Sequence, residues 1–202
     1  MIARKPFCQS RHQRYMLMTM THPNDAAPPS LSGLENAVIR VKAGDTRAFE
    51  TIYRETLGVV YGLCLRMTSN PSQADECTQR TYIKAWQKID QFQGKSRLTT
   101  WLHRIAVNEV LGLFRSEKRF VSAEEYVESG FVDMVGEDLD LEQAISQLTI
   151  GQRQVFVLFG VYGYSHDEVA SMLGIAVGTS KAQLHRARAA LKETIEKGGD
   201  CG

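Results

Sequence analysis

The residues with the clearest chemistry are cations near the C-terminus of the chain. Between Lys181 and Lys192 four Lys/Arg residues occur and no acid. At helical spacing Lys181, His185 and Arg188 lie on one face, with Arg186 beside it. Such a face suits phosphate oxygens and base edges. No Gly-rich phosphate loop, metal-spaced Cys/His cluster or nucleophile motif accompanies it, so we expect binding without a metal, a cofactor or a catalytic residue.

The same stretch predicts the element that positions these cations. Ser165 is a suitable N-cap, and Gly174 follows the last apolar residue of a short helix, where a chain turns out in a left-handed conformation. The next helix has a second, apolar seam made of Ser180, Leu184, Ala187, Leu191 and Ile195. Helix, tight turn and basic helix are the pattern of a DNA-reading helix-turn-helix. A surface helix whose cations suit the helix dipole has the same spacing, so the spacing alone leaves both interpretations open.

Composition limits the classes to which the chain can belong. Its 202 residues suffice for one domain or two small ones, and 43% hydrophobic residues support real cores. The formal net charge is only +1, so the distribution of charge is more informative than its sum. No apolar run reaches membrane-spanning length, and we expect no membrane insertion. Four scattered cysteines without CxxC spacing argue against a zinc site or a disulfide scaffold and fit a reducing cytoplasm.

Residues 1–33 are predicted to form a disordered basic tail. Basic residues precede the first acid, Asp25, and prolines interrupt any helix. Four positions are open as the translation start: Met1, Met16, Met18 and Met20. Cys64 and Cys77 lie in amphipathic segments and are expected to be core thiols, whereas the role of Cys201 is open.

The rest of the chain predicts an all-α fold. Apolar residues recur at helical spacing from residue 34 onward, and no strand-like alternation of useful length occurs. Eight acids without any Lys or Arg lie between Glu124 and Glu142. We therefore predict two small helical domains, at 34–119 and 139–197, joined by an acidic flexible linker at 120–138. The second domain contains the helix-turn-helix.

The boundary between the second and third helices has its own signals. The Asn70-Pro71 pair is expected to end the second helix. Ser72, with Asp75 three residues later, resembles a capping box that starts the third.

The fourth helix, predicted from about Leu98 to Lys118, carries the second basic surface. Six Lys/Arg residues lie between Lys95 and Arg119, with His103 and Asn108 as further polar groups. Aromatic residues beside cations are typical of single-stranded DNA binding, because unstacked bases lie on rings while phosphates meet cations. A core role for Trp101, with the cations as a solvated face, is the alternative.

Two separated stretches together resemble the extracytoplasmic-function sigma factors, two-domain initiation subunits of bacterial RNA polymerase. In the first unit these are GDTRAFETIYRE and QADECTQRTYIKAWQKIDQFQGKSRLTTWLHRIAVN. In the second it is LTIGQRQVFVLFGVYGYSHDEVASMLGIAVGTSKAQLHRARAAL. The resemblance implies a cytoplasmic protein without catalysis of its own that directs promoter-specific initiation, including promoter opening. Its implied partners are core RNA polymerase (the clamp of the largest subunit and the flap of the second largest), promoter DNA and an anti-sigma factor, which would tether it indirectly to a membrane.

The resemblance assigns roles to three sets of residues. The polymerase-binding set is Asp75, Glu76, Gln79, Tyr82 and Lys84. The minus-ten set, for recognition and melting with capture of a flipped base, is Lys95, Arg97, Thr100, Trp101, Arg104, Asn108 and Arg115. The minus-thirty-five set, on the recognition helix, is Thr179, Lys181, Ala182, Gln183, His185, Arg186 and Arg188.

Some positions depart from the family pattern. Arg80 stands where members often carry Glu, and Gly112 where many carry Asp. Gln183 replaces an Arg and offers an amide that suits adenine. Ser180 places a hydroxyl on the apolar seam, where we expect a backbone carbonyl one turn back as its partner. These departures keep a second hypothesis open, a stand-alone helix-turn-helix regulator that does not associate with polymerase.

Overall fold

The computed structural model describes residues 31–120 and 139–198, and every regular element in these ranges is helical. The predicted all-α class is therefore confirmed. The N-terminal unit contains α1 (Leu31–Lys42), α2 (Ala48–Thr68), α3 (Pro71–Lys88), a 3-10 turn (Ile89–Gln91) and α4 (Leu98–Phe120). The C-terminal unit contains α5 (Leu139–Ser146), α6 (Ile150–Phe156), a π turn (Val157–Val161), α7 (His166–Leu173) and α8 (Val177–Gly198). Most of the predicted tail and linker lies outside the described residues, whereas residues 31–33 already belong to α1.

The N-terminal unit is organised around α2. This helix packs against α1, α3 and α4. Ile52, Leu63 and Met67 on α2 and Leu102 and Val110 on α4 are fully buried. Cys64 and Cys77 are buried free thiols, as predicted. Burying each of these five side chains stabilises the fold by about 1.5 to 3 kcal/mol relative to leaving it exposed. This apolar burial holds the helices together.

The junction between α2 and α3 is built differently from the prediction. α2 ends at Thr68, and Ser69 follows in a left-handed conformation with φ 52°. Asn70 is the N-cap of α3, and its side chain accepts a hydrogen bond from the backbone amide of Gln73 at 3.1 Å. Pro71 occupies the first helical turn, where its missing N–H costs nothing.

The predicted capping box of Ser72 and Asp75 is therefore wrong. Both residues lie inside the first turns of α3, and Ser72 is already two positions beyond the real cap, Asn70. An Asn before a Pro satisfies the N-cap geometry better than a Ser after it, because the proline ring holds the residue before it in the extended conformation that an N-cap needs.

The C-terminal unit is held together by caps and by one buried arginine. A capping box of Thr149 and Gln152 starts α6. The Arg153 guanidinium donates to the carbonyls of Ile145 (3.2 Å), Ser146 (2.5 Å) and Leu148 (2.8 Å), all at the end of α5 and the turn after it. Carbonyls at a helix end lack intrahelical partners, so a buried cation is well placed there.

The two units contact each other. α2 packs against α5 and α6, and α4 packs against α7. At the first contact, Arg66 Nε on α2 donates to Glu142 Oε1 on α5 at 2.8 Å, with both side chains largely buried.

Replacement Asn70→Ala is expected to lower the free energy of unfolding by about 1 kcal/mol, because the Gln73 amide loses its acceptor. Ser72→Ala is the matched control, with an expected change below about 0.5 kcal/mol, because Ser72 is exposed inside the helix. Urea denaturation followed by circular dichroism measures both values. A larger loss of stability for Ser72→Ala than for Asn70→Ala would mean that Ser72, and not Asn70, is the N-cap of α3.

Candidate nucleic-acid interface

The turn between α7 and α8 sets the direction of the recognition helix. Ser165 caps α7 in a capping box with Glu168, as the sequence predicts for Ser165. Gly174 ends α7 with φ 67° in the left-handed region, where a side chain is strained. Ile175 N donates to Ala170 O at 3.1 Å and closes the turn. The chain is thus redirected within three residues into α8.

Burial of one seam of α8 leaves its basic face outside. Ser180, Leu184, Ala187 and Leu191 are buried. The exposed residues of the minus-thirty-five set are Thr179, Lys181, Ala182, His185, Arg186 and Arg188. An α-helix with a solvent-exposed row of cations and small residues has the shape and charge that a major groove accepts.

Gln183 stands apart from the rest of that set. It is half-buried, and its Nε2 lies 3.2 Å from where a Cβ on Gly151 would be. The amide therefore packs against the first turn of α6, at the edge of the exposed face. Its predicted contact with adenine stays a prediction.

The buried hydroxyl of Ser180 has a partner that the sequence analysis missed. Its Oγ lies 3.0 Å from His166 Nδ1, which differs from the expected backbone carbonyl. The His166 ring stacks on Phe159 with centroids 4.3 Å apart, and the Arg188 guanidinium carbon lies 5.9 Å from the Phe159 centroid. One aromatic ring thus joins the two helices of the turn and also attracts a cation of the predicted DNA face. The 14-residue separation of His166 from Ser180 gives no local signal for this contact.

The minus-ten set follows α4 and the segment before it. Lys95, Arg104, Asn108 and Arg115 are exposed, whereas Arg97, Thr100 and Trp101 are half-buried. The Trp101 ring packs on Phe92 with centroids 5.4 Å apart. Trp101 therefore has both a core contact and an accessible part, so neither sequence interpretation describes it fully.

Two polar residues of α4 are buried, and one of them, His103, was expected on this surface. His103 is 4% exposed and faces the C-terminal unit, which removes it from a DNA-facing surface. Glu109 is also buried, and its Oε1 lies 2.5 Å from Lys84 Nζ on α3. This pair joins the helix of the polymerase-binding set to the helix of the minus-ten set.

The polymerase-binding set lies on α3, with one exception. Asp75, Glu76, Gln79 and Lys84 are exposed. Tyr82 is buried, and its hydroxyl is 2.8 Å from Thr56 Oγ1. Its assignment to the contact surface is therefore corrected: Tyr82 supports α3 from inside, because a side chain hydrogen-bonded in the core is not available to a partner.

Comparison with known proteins places both units. The family profile "Sigma-70 region 2" matches residues 52–120, and "Sigma-70, region 4" matches residues 138–191. The ECF RNA polymerase sigma factor SigW of Bacillus subtilis is 31% identical over 180 residues, which are 80% of this chain and 96% of SigW. The chain belongs to the extracytoplasmic-function sigma factors. It is an alternative sigma factor associated with RNA polymerase, a regulator of transcription initiation that binds DNA.

Two solved structures of sigma factors are similar to it. The sigma factor RpoE of Bartonella quintana, in complex with the anti-sigma factor NepR, gives a TM-score of 0.62 at 28% identity. That match covers 75% of this chain and 98% of RpoE. CnrH, in complex with the cytosolic domain of CnrY, gives a TM-score of 0.55 at 26% identity, over 82% of this chain and 98% of CnrH.

Within the described residues of this sigma factor, no cluster of His, Cys, Asp and Glu has the geometry of a metal site. None of the helices there combines the length and the apolar character that crossing a membrane requires.

Two further features of the sigma factor escaped sequence analysis. The ammonium of Lys42 on α1 donates to the carbonyls of Asp90 (3.3 Å) and Phe92, at the start of the segment that carries Lys95 and Arg97. On α3, Ile83 and Trp86 are 58% and 42% exposed and lie on the same helix as the polymerase-binding set. Their three-residue spacing puts them next to each other on the helix surface, so they form an exposed apolar area that helical spacing could have shown.

Replacement Lys84→Met is expected to destabilise the protein by about 1 to 3 kcal/mol, because the buried Glu109 carboxylate then lacks its partner. Thermal and urea denaturation measure the loss. The double variant Lys84→Met/Glu109→Gln should recover part of it, since a neutral amide costs less to bury.

Lys88→Met is the matched control on the same helix. Lys88 is exposed in the last turn of α3, so its loss removes only a favourable charge at the helix end, about 0.5 kcal/mol. Equal losses for Lys84→Met and Lys88→Met would mean that the Lys84–Glu109 pair contributes nothing.

Proposed function

We propose that this sigma factor holds a promoter at two points and opens it at one of them. The exposed face of α8 would read the minus-thirty-five element as duplex. The exposed and half-buried residues of α4, with the segment from Lys95, would bind the minus-ten element as a separated strand. The observation that carries this proposal is that each of the two matched units exposes one cationic helix face, on α8 and on α4, above a buried apolar face.

The two faces suit different forms of DNA. α8 presents its cations on one exposed helix face, and an α-helix fits the width of a major groove. α4 presents cations beside a half-buried indole, a combination that lets a flipped base stack while phosphates are neutralised. Flipping a base costs a few kcal/mol, and stacking plus hydrogen bonds to the base must return that amount.

The polymerase would contact α3. Asp75, Glu76, Gln79 and Lys84 are exposed there, and Ile83 and Trp86 add apolar area beside them. A charged rim around apolar anchors is the usual composition of a protein interface. The clamp of the largest polymerase subunit is the proposed partner of α3, and the flap of the second largest subunit that of the C-terminal unit.

The remaining assignments follow from this role. We infer that the chain acts in the cytoplasm, where polymerase and promoters lie, and that nucleotide addition belongs to the core enzyme and not to this chain. The domain limits 34–119 and 139–197, with 120–138 as a connector, are proposed on the same basis. An anti-sigma factor is a proposed further partner, because the similar sigma factor RpoE forms a complex with the anti-sigma factor NepR.

Run-off transcription with purified core polymerase tests the function. A library of genomic fragments should yield discrete promoter-dependent transcripts only when the sigma factor is added. Failure to obtain any transcript with active core enzyme, combined with duplex binding and no pull-down of polymerase, would favour the stand-alone regulator instead.

Lys181→Ala and Arg186→Ala are each expected to weaken binding to promoter duplex. A residue that meets phosphate should also lower the slope of log affinity against log salt by about 1, whereas one that reads a base edge should cost about 1 to 3 kcal/mol of discrimination at one position. Fluorescence anisotropy over a salt series distinguishes these outcomes. Arg54→Ala removes an exposed cation paired with Glu50 on α2 and should change neither quantity.

Asn108→Ala is expected to impair strand opening more than closed-complex binding, because its exposed amide lies on the face assigned to the separated strand. Permanganate footprinting of unpaired thymines measures opening, and gel retardation of the holoenzyme measures binding. Normal melting in this variant would remove Asn108 from the minus-ten set.

A further inference from the structure

The contact between the two units encloses a histidine. His103 Nδ1 on α4 lies 2.8 Å from the hydroxyl of Tyr164, which precedes α7. The ring of Tyr162 stands edge-on to His103 with centroids 5.0 Å apart. Two tyrosines of the C-terminal unit therefore cover one histidine of the N-terminal unit.

This contact overlaps the minus-ten set. Burial raises the pKa of Tyr164, and the Thr100 side chain and the Arg104 charge on α4 oppose that shift, which places both residues beside the phenol. Thr100 and Arg104 belong to the face of α4 to which the separated strand is assigned. While Tyr164 lies against Thr100, the C-terminal unit occupies part of that face.

Length gives a second reason why the contact must open before a promoter is held at both points. Elements centred at minus-ten and minus-thirty-five are about 85 Å apart along B-DNA at 3.4 Å per base pair. A compact chain of this length is about 40 Å across. Units that touch each other cannot reach both elements.

The chemistry of His103 makes the contact sensitive to its charge. Its Nε2 is buried and has no hydrogen-bond partner among the described residues. A protonated ring carries an N–H on both nitrogens, so one donor and a positive charge would be buried without an acceptor. Burial accordingly lowers the pKa of His103 to about 4.

The other titratable groups around the contact do not compensate such a charge. Those that act on the two tyrosines covering His103 are Arg66 and Cys64 on α2, Arg104 on α4, Glu142 on α5 and Glu168 on α7. Glu142 is paired with Arg66, and Glu109 with Lys84. Glu168 closes the α7 capping box. No carboxylate in the described part of the chain is hydrogen-bonded to His103.

The neighbouring acids of high pKa stay protonated near neutral pH. Burial raises the pKa of Tyr162, of Tyr164 and of the Cys64 thiol to about 12 in each case. Compared with these groups, His103 is therefore the one whose protonation between pH 5 and 7 changes the balance between the closed form, in which the units touch, and the open form, in which they are apart.

We propose that the His103–Tyr164 contact is an autoinhibitory latch, and that protonation of His103 opens it. The proposal rests on the promoter role above, because only that role makes the covered face of α4 functional. The device would couple a fall in internal pH to release of the minus-ten surface.

The sign follows from the two states. In the open form the ring is solvated and its pKa returns to about 6.5. The closed form is therefore fully favoured above pH 6.5 and loses stability as the pH falls from there toward 4. Between pH 7.5 and 5.5 the ratio of open to closed molecules is expected to rise about tenfold.

Fluorescence energy transfer within the full chain, without polymerase or DNA, tests the latch. Dyes are placed at exposed positions of the two units by Ser72→Cys and Ala189→Cys, with Cys8 and Cys201 replaced by Ser. Efficiency should fall between pH 7.5 and 5.5 while the helical circular dichroism signal stays constant. In a wild type that is almost fully closed, a tenfold change in the ratio of open to closed molecules would be hard to detect. Tyr164→Phe should raise the open fraction at pH 7.5 and keep the pH response, so that the change becomes measurable.

His103→Gln is the matched variant, because an amide can bond to the Tyr164 hydroxyl but cannot acquire a proton. In it, and in His103→Gln/Tyr164→Phe, the efficiency should not change with pH. The latch is wrong if His103→Gln keeps the wild-type pH response, if neither wild type nor Tyr164→Phe responds, or if the response coincides with loss of helix. Because no transcription is measured, each of these results leaves the promoter role standing.

Discussion

Burial of the apolar face of α4 is the constraint on which the other surfaces depend. Leu102, Ala106 and Val110 are fully buried, and their spacing of four fixes the rotation of the helix about its axis. With that rotation fixed, Arg104 and Asn108 face outward and His103 faces the C-terminal unit. A helix with three environments around its circumference thus serves the core, the predicted DNA surface and the contact between units at once.

Much of this arrangement could be predicted from the sequence because it follows from local rules. Helical periodicity gave the all-α class, the Ser165 cap and the Gly174 turn, and these need only a few neighbouring residues. The same periodicity placed Ser180 and Leu184 on a buried seam and the cations outside. The capping box predicted at Ser72 is wrong although it too depends only on neighbouring residues, because Asn70 and Ser72 are both suitable N-caps and lie two positions apart.

What the sequence could not provide are pairings between distant residues. Lys42 meets the carbonyl of Phe92 across 50 positions, and His103 meets Tyr164 across 61. Periodicity along α4 counts a histidine as polar and therefore predicts it on a solvated face. Burial of His103 results from a second unit covering that face, which no pattern within the helix contains. Tyr82 is a related case, because the family resemblance assigned it to the polymerase-binding surface, whereas its hydroxyl has a buried partner in Thr56, 26 positions away.

The two kinds of contact in this protein differ in what it costs to separate them. Separating α3 from α4 exposes apolar side chains and strands the Glu109 carboxylate, so these helices move as one body. The hydrogen bonds across the contact between the units instead join groups that water can also serve: the Arg66 guanidinium, the Glu142 carboxylate, two phenols and an imidazole. Hydrogen bonds exchanged for water cost little net free energy, about 0.5 to 1.5 kcal/mol each. These hydrogen bonds therefore oppose separation of the units only weakly, which is the condition that the proposed His103 latch requires.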